Sequence, residues 1–177
     1  MEENNRIYLR AFEPEDYKIS IKWRNDDGIW EMLGGTKYFV SSAYEKKWVE
    51  DVIYNSKDVK LAICLKENDR YIGNVYMTNI DQLRQSCHSH ILIGERDCWG
   101  KGYAREALMM AVDYMFKERN MHRIQAIVLE SNKQSLRMHE KCGYKIDGIL
   151  RDSVFKDGKW QNQYVMSLLL SDVEIGK

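Results

Sequence analysis

A mixed α+β fold is what this sequence predicts, on two observations. Segments of strand and helix periodicity follow one another in the order βαα, a run of strands, βαβα and a closing hairpin. At the centre, a strand runs into "DCWGKGYAREAL" (97–108), where two glycines bracket a lysine ahead of an apolar run at helical spacing. That makes one strand–helix–strand unit inside a central sheet flanked by helices. The 177 residues are read as a single domain, 1–177, large enough for a core without staples.

The elements follow in order. "RIYLRAF" alternates as a strand does. In "EPEDY", Pro14 sits near a first helical position with acidic residues facing the dipole, so a helix is predicted from Asp16 to about Trp30. The two adjacent glycines of "EMLGGTKYF" predict a mobile loop. "SSAYEKKWVEDVIYN" is a second helix, capped by Ser41 or Ser42, with Tyr44, Trp48 and Val52 on one stripe. "VKLAICLKE" and "YIGNVYMTNI" form a hairpin around "NDR", and "SHILIGE" is a strand leading into the glycines.

The helix after them carries Ala104, Ala107, Leu108, Ala111, Val112 and Met115 on one face. "HRIQAIVLE" predicts a strand buried on both faces. A short helix from Lys133 to about Cys142 has Asn132 as its cap and Gly143 where a left-handed residue belongs. "YKIDGILRDSVF" and "QYVMSLLL" close the chain as a hairpin, with Asp157–Gly158 in the tight turn.

Composition excludes several functions. Lysine plus arginine balance aspartate plus glutamate, 27 against 27, which argues against a nucleic-acid or acidic-membrane binder. No apolar run approaches the roughly 20 residues of a membrane span, and the N-terminal "MEENNRIYLRAF" has no apolar signal core. Cys64, Cys87, Cys98 and Cys142 lie far apart without a CxxC pair, as expected of reduced, mostly buried cytoplasmic thiols. His88 and His90 would share a strand face, but no third ligand accompanies them, so no metal is expected.

A strand ending at Gly-x-Gly ahead of a helix is suited to anions. First-turn N–H groups lack intrahelical partners, the dipole adds positive potential, and a residue without Cβ lets a ligand approach. The P-loop pattern fails: five residues separate Gly94 from Gly100, and Gly102 follows Lys101 where a hydroxyl is needed. The dinucleotide fingerprint fails at its third glycine, where Arg105 stands, and the turn comes late in the chain.

"GKGYAREAL" instead resembles the acetyl-CoA pyrophosphate loop, Q/R-x-x-G-x-G/A, of the Gcn5-related N-acetyltransferase (GNAT) superfamily. Gly100 and Gly102 match, and Asp97 stands at the leading position. "NKQSLRMHEKCGY" resembles the same superfamily's closing helix through Asn132, Ser135, Glu140, Lys141, Gly143 and Tyr144. "IYLRAFEPEDY" and "DGILRDSVFKDGKW" resemble the branch of Rim-type ribosomal-protein N-terminal acetyltransferases and spermidine acetyltransferases.

The resemblance implies a fold whose two middle strands splay apart to admit acetyl-pantetheine as an added strand would enter. It implies that Leu92, Ile93 and Gly94 hold the pantetheine by their backbone. The amides of Trp99, Gly100, Lys101, Gly102, Tyr103, Ala104 and Arg105 would then hold the pyrophosphate. Asn132 would contact the pantetheine arm, and Lys141 or Arg137 the outer phosphate. The partners implied are acetyl-CoA and an amine acceptor: a protein N-terminus, an amino sugar, a polyamine or another small amine. A homodimer is a further expectation. The loop from Glu31 to Phe39 is poor in acids, which counts against a polyamine.

The amine must lose a proton before it attacks, and the departing thiolate must gain one. Ser135 and His139, four apart on a helix, share a face and are both candidate acids. A tyrosine commonly stands at the position of His139 in the superfamily, and the serine is a candidate in the Rim branch. Glu31, beside the glycine loop, and His90, on the strand leading into the groove, are candidates to accept or relay the proton. Asn162 replaces an acid common in Rim relatives. The departures at Asp97, His139 and Asn162 leave open an alternative, a non-catalytic acyl-CoA-binding or sensing module.

Overall fold

The structure is a computed structural model and describes residues 5–173. Seven strands, β1 (Ile7–Arg10), β2 (Val59–Leu65), β3 (Tyr71–Asp81), β4 (Ser86–Ile93), β5 (Arg123–Leu129), β6 (Lys145–Lys156) and β7 (Lys159–Leu169), form one sheet in the order β1-β2-β3-β4-β5-β7-β6. Every neighbouring pair is antiparallel except β4 and β5, which run parallel across the single strand–helix–strand unit. The β6–β7 turn has Asp157 and Gly158 at φ 49° and 75°, the left-handed pair that matches strand twist.

Two apolar layers sandwich the sheet. On one side α4 (Tyr103–Lys117) and α5 (Lys133–Lys141) cover Ile63, Ile72, Cys87, Ile124 and Met166. On the other, α1 (Tyr17–Arg24), α2 (Asp27–Met32) and α3 (Ser42–Asn55) cover Ala62, Cys64 and Tyr71 around Trp23 and Ile29. The expected stripe of α4 is buried at Ala107, Leu108, Ala111, Val112 and Met115. All four cysteines are free and buried. Among the described residues no helix is long and apolar enough to cross a membrane.

Four expectations are corrected. The helix from Asp16 to Trp30 is broken at Asn25, because the Asp26 carboxylate accepts the Ile29 N–H at 3.1 Å and starts α2 afresh. An aspartate offers the backbone this alternative to helix continuation. On α3 Trp48 and Val52 of the expected stripe pack on the core beside the fully buried Glu45 and Val49, while Tyr44 is exposed. Glu45 tolerates full burial because it accepts from Ser20 Oγ at 2.6 Å and Arg24 Nε at 3.0 Å. Strand β5 is not buried throughout on both faces: Ile124, Ala126 and Val128 are buried on one, while on the other Leu129 is buried and Ile127 is exposed.

Finally, the segment after α2 is not a free loop. Lys156 Nζ donates to the carbonyls of Trp30, Leu33 (2.6 Å) and Gly35 (3.4 Å), and Gln163 Nε2 to that of Gly34 at 3.3 Å. The exposed run begins at Gly35.

Candidate active site

Strands β4 and β5 pair only from Ser86 to His88 against Arg123 to Gln125. Beyond that point β4 stays bonded to β3 and β5 to β7, so the two part into a fork. Ser89 Oγ sits at its apex, 3.4 Å from the Gln125 carbonyl and 2.9 Å from Tyr144 Oη. A groove of about 620 Å³ opens from the fork, walled by Ile29, Met32 and Leu33 on one side and by α4 and α5 on the other.

Backbone alternation decides what β4 offers this groove. A Cβ on Gly73 would stand 2.2 Å from the Leu92 oxygen, so that carbonyl faces β3. Alternation turns Ile91 and Ile93 toward the fork. The Ile93 carbonyl already accepts the Trp99 indole N–H at 2.8 Å, which leaves its own N–H and both polar groups of Ile91. The expectation for Leu92 and Gly94 is therefore corrected. The Gly94 N–H donates to Ile72 O at 2.8 Å, and a Cβ there would lie 2.0 Å from the Trp23 ring. Gly94 is a glycine so that Trp23 can lie flat against the chain.

At the mouth of α4 both glycines take left-handed backbone. Gly100 and Gly102 adopt φ 72° and 86°; a Cβ would meet nothing within 4 Å at the first and only Arg6 Nη2, at 3.4 Å, at the second. The left-handed backbone favours glycine, and both glycines line the groove. Glu106 N–H makes the first helical bond, to Gly102 O at 3.1 Å. The N–H groups of Gly100, Gly102, Tyr103, Ala104 and Arg105 precede the first helical bond, while that of Lys101 closes the turn at Trp99–Gly100. Those amides, at the positive end of a fifteen-residue helix, form a cradle that fits a diphosphate. Trp99, Gly100, Gly102, Tyr103, Ala104 and Arg105 line the groove, and Lys101 stands outside it, exposed.

Two carboxylates beside the cradle are neutralised. Glu106 is held by Arg6 through Nη2 at 3.0 Å and by the Arg6 N–H at 2.5 Å. Asp97, at the departing motif position, is gripped by Arg70 at 2.7 and 2.9 Å, which holds its carboxyl below the usual range. Arg70 also binds Glu95, which accepts the Trp23 indole at 2.9 Å. The acid therefore belongs to a network that ties the loop to α1.

On α5, the Asn132 amide caps the helix through Ser135 N–H at 3.0 Å and donates to the Met32 carbonyl at 2.9 Å. Its side chain thus borders the groove with half of its hydrogen-bonding capacity already used. Ser135, Arg137 and Lys141 line the rim. His139 is buried, with Nδ1 2.9 Å from the Ser135 carbonyl and its ring edge-on to Tyr144. A carbonyl only accepts, so Nδ1 carries the proton. Burial pushes the imidazole pKa down. The expectation of an imidazolium acid is corrected: the ring is neutral at pH 7, with its lone pair at Nε2. Of the two expected acids, the Ser135 hydroxyl, 3.4 Å from His139 Nδ1, keeps a proton to give.

Glu31 is exposed on α2 and stands outside the groove lining, so its role as base is corrected too. A helix of six residues turns Ile29 and Met32 inward and Glu31 to solvent. Asn162 likewise bonds Glu130 Oε2 and the Asp152 N–H, at 3.0 and 2.9 Å, away from the fork. Sequence reasoning missed the Ser89 apex, the Lys156 clamp and the groove wall of Met32 and Leu33. The histidine that does reach the groove from the strand side is His90.

A family model described as an acetyltransferase (GNAT) domain matches residues 6–145. The chain is similar to an uncharacterized N-acetyltransferase, p20, of Bacillus licheniformis, with 30% identity over 166 residues and 93% of each chain covered. It is also similar to the spermidine N(1)-acetyltransferase of Vibrio cholerae, with 26% identity and 95% of each chain covered. The crystal structure of spermidine N-acetyltransferase from Vibrio cholerae in complex with CoA and spermine matches at a TM-score of 0.87 and 25% identity. That match covers 96% of this chain and 98% of the other.

Proposed function

The chain belongs to the acetyltransferase (GNAT) family, and on that premise we propose that its acceptor is an amine with a single cationic nitrogen. It is an acetyl-CoA-dependent N-acetyltransferase. A protein N-terminus, an amino sugar or another small monoamine is the acceptor class. The observation that carries this reading is the groove lining. Among the described residues it contains no carboxylate, and its α2 wall is Ile29, Met32 and Leu33. A polyamine's second ammonium would lose hydration there without a counter-charge.

In this reading the cradle from Gly100 to Arg105 holds the pyrophosphate, with Arg137 and Lys141 at the rim for the outer phosphate. Ile91 and the Ile93 N–H hold the pantetheine arm along β4. The thioester then lies near the fork apex, and a β4 N–H stabilises charge that develops on its oxygen. Ser135 protonates the departing thiolate. Holding both reactants in line supplies much of the acceleration.

A second reading, a polyamine acceptor, is favoured by the likeness to the spermidine enzyme of Vibrio cholerae. Thiol release from acetyl-CoA with benzylamine, glucosamine, a serine-initiated peptide and spermidine separates the two. Highest kcat/KM with spermidine would reject the monoamine class. The outer strand β6 exposes Ile146, Ile149, Leu150 and Phe155, which gives the expected homodimer a surface.

A further inference from the structure

We propose that His90 is the base that takes the proton from the acceptor amine, and that Thr78 is the residue that positions it. The inference rests on the reading above, in that the thioester must lie at the fork. His90 is the first residue of β4 with a side chain on the acceptor face past the last paired position, His88. Along β4, Cys87 points into the layer under α4 and α5, while Leu92 packs on the layer under α1 and α3. Period two puts His88 and His90 on the latter face. His139 approaches from the opposite side. The amine and the phosphates therefore enter from different faces, and His90 stands on the amine's.

Its chemistry suits a base. His90 lines the groove and is exposed, and its Nε2 lies 3.0 Å from Thr78 Oγ1 on the neighbouring strand. The Thr78 hydroxyl can accept from Nε2–H, and in that tautomer Nδ1 holds the lone pair. The charged and titratable groups around it are His88 on its own strand, Asp58 and Lys60 at the start of β2, and Tyr76, its register partner on β3. Desolvation within the concave wall lowers its pKa, His88 and Lys60 add to this, and Asp58 opposes. The ring is therefore neutral at pH 7 and ready to accept.

The step balances. The nitrogen lone pair forms the N–C bond to the acetyl carbon, and the C–S bond breaks with its electrons on sulfur. Before attack the ammonium gives one proton to His90, which passes it to solvent; a second N–H proton leaves to water as the amide forms, while the thiolate takes its proton from Ser135, which solvent restores.

The test uses the full chain with His90→Gln and Thr78→Val, benzylamine and the serine-initiated peptide as acceptors, and CoA titration in parallel. His90→Gln should lower kcat about 100-fold or more, abolish the acid limb of the kcat profile, and leave the CoA Kd unchanged. Thr78→Val should lower kcat less and move the acid limb, which a purely structural contact would not do. An unaltered kcat and acid limb in His90→Gln, with normal CoA binding, overturns the proposal. Absence of CoA binding by the unaltered protein would instead overturn the placement of the groove.

Discussion

Replacing Gly102 with alanine separates two roles that one residue combines. At φ 86° and ψ 0° the position is left-handed, and an L-residue there costs about 1–2 kcal/mol. The added methyl meets only Arg6 Nη2 at 3.4 Å, an ordinary contact with the end of a flexible side chain, so strain is the whole folding penalty. For a chain of this size that amounts to about 2–8 °C in Tm. Gly102 itself lines the groove beside the bare amides, and added bulk at this position narrows the room for a phosphate. Losing one charge-assisted bond to a phosphate costs about 1.5–3 kcal/mol, or roughly a 10- to 150-fold weaker Kd for CoA. Gly158, at φ 75° with nothing within 4 Å, is the matched control. Gly158→Ala should show the same Tm loss and leave CoA affinity untouched. Calorimetric titration of both variants and the unaltered protein reads the difference directly. Equal CoA affinity in all three would refute the cradle, whatever the melting curves show.

Two more perturbations address the walls. His139, neutral in the fold, should make stability fall with pH. The unfolded chain takes up a proton as pH drops below about 6.5 while the buried ring resists it, so destabilisation begins there and levels off below the folded pKa. Denaturant unfolding at pH 8 and pH 5 should show a smaller drop in His139→Phe than in the unaltered protein; equal drops would mean the ring is not held neutral. Lys156→Met should remove the donor shared by the Trp30, Leu33 and Gly35 carbonyls. It should cost about 1–3 kcal/mol of stability and raise the acceptor KM several-fold with the CoA Kd unchanged. An unmoved KM would show that the α2 wall does not contact the acceptor.

What the sequence disclosed was local, and what it hid depended on distance. The cradle was legible because two left-handed positions ahead of an amphipathic run leave few residues but glycine, as Gly100 and Gly102 show. The turn at Asp157–Gly158 was legible for the same reason, and the α5 cap because the Asn132 side chain accepts a first-turn N–H. The break at Asn25 was not, because Asp26 interrupts a pattern whose apolar spacing continues on both sides of it. Glu31 sat near the right glycines along the chain, but one helical step turned it to solvent. The Lys156 clamp spans more than 120 residues, and no local pattern marks a lysine for such a task. His139 was chemically able on paper; only its burial and its bond to Ser135 O decide its protonation.

Asn132 stands at both edges of the cleft at once. Its carbonyl holds the first turn of α5 and its amino group holds the end of α2, so the gap between those helices cannot widen while both bonds last. Any breathing that admits a bulkier acceptor must therefore break one of the two, either the link to α2 or the cap of the helix that carries Ser135. Substrate size and proton delivery are linked through one planar amide.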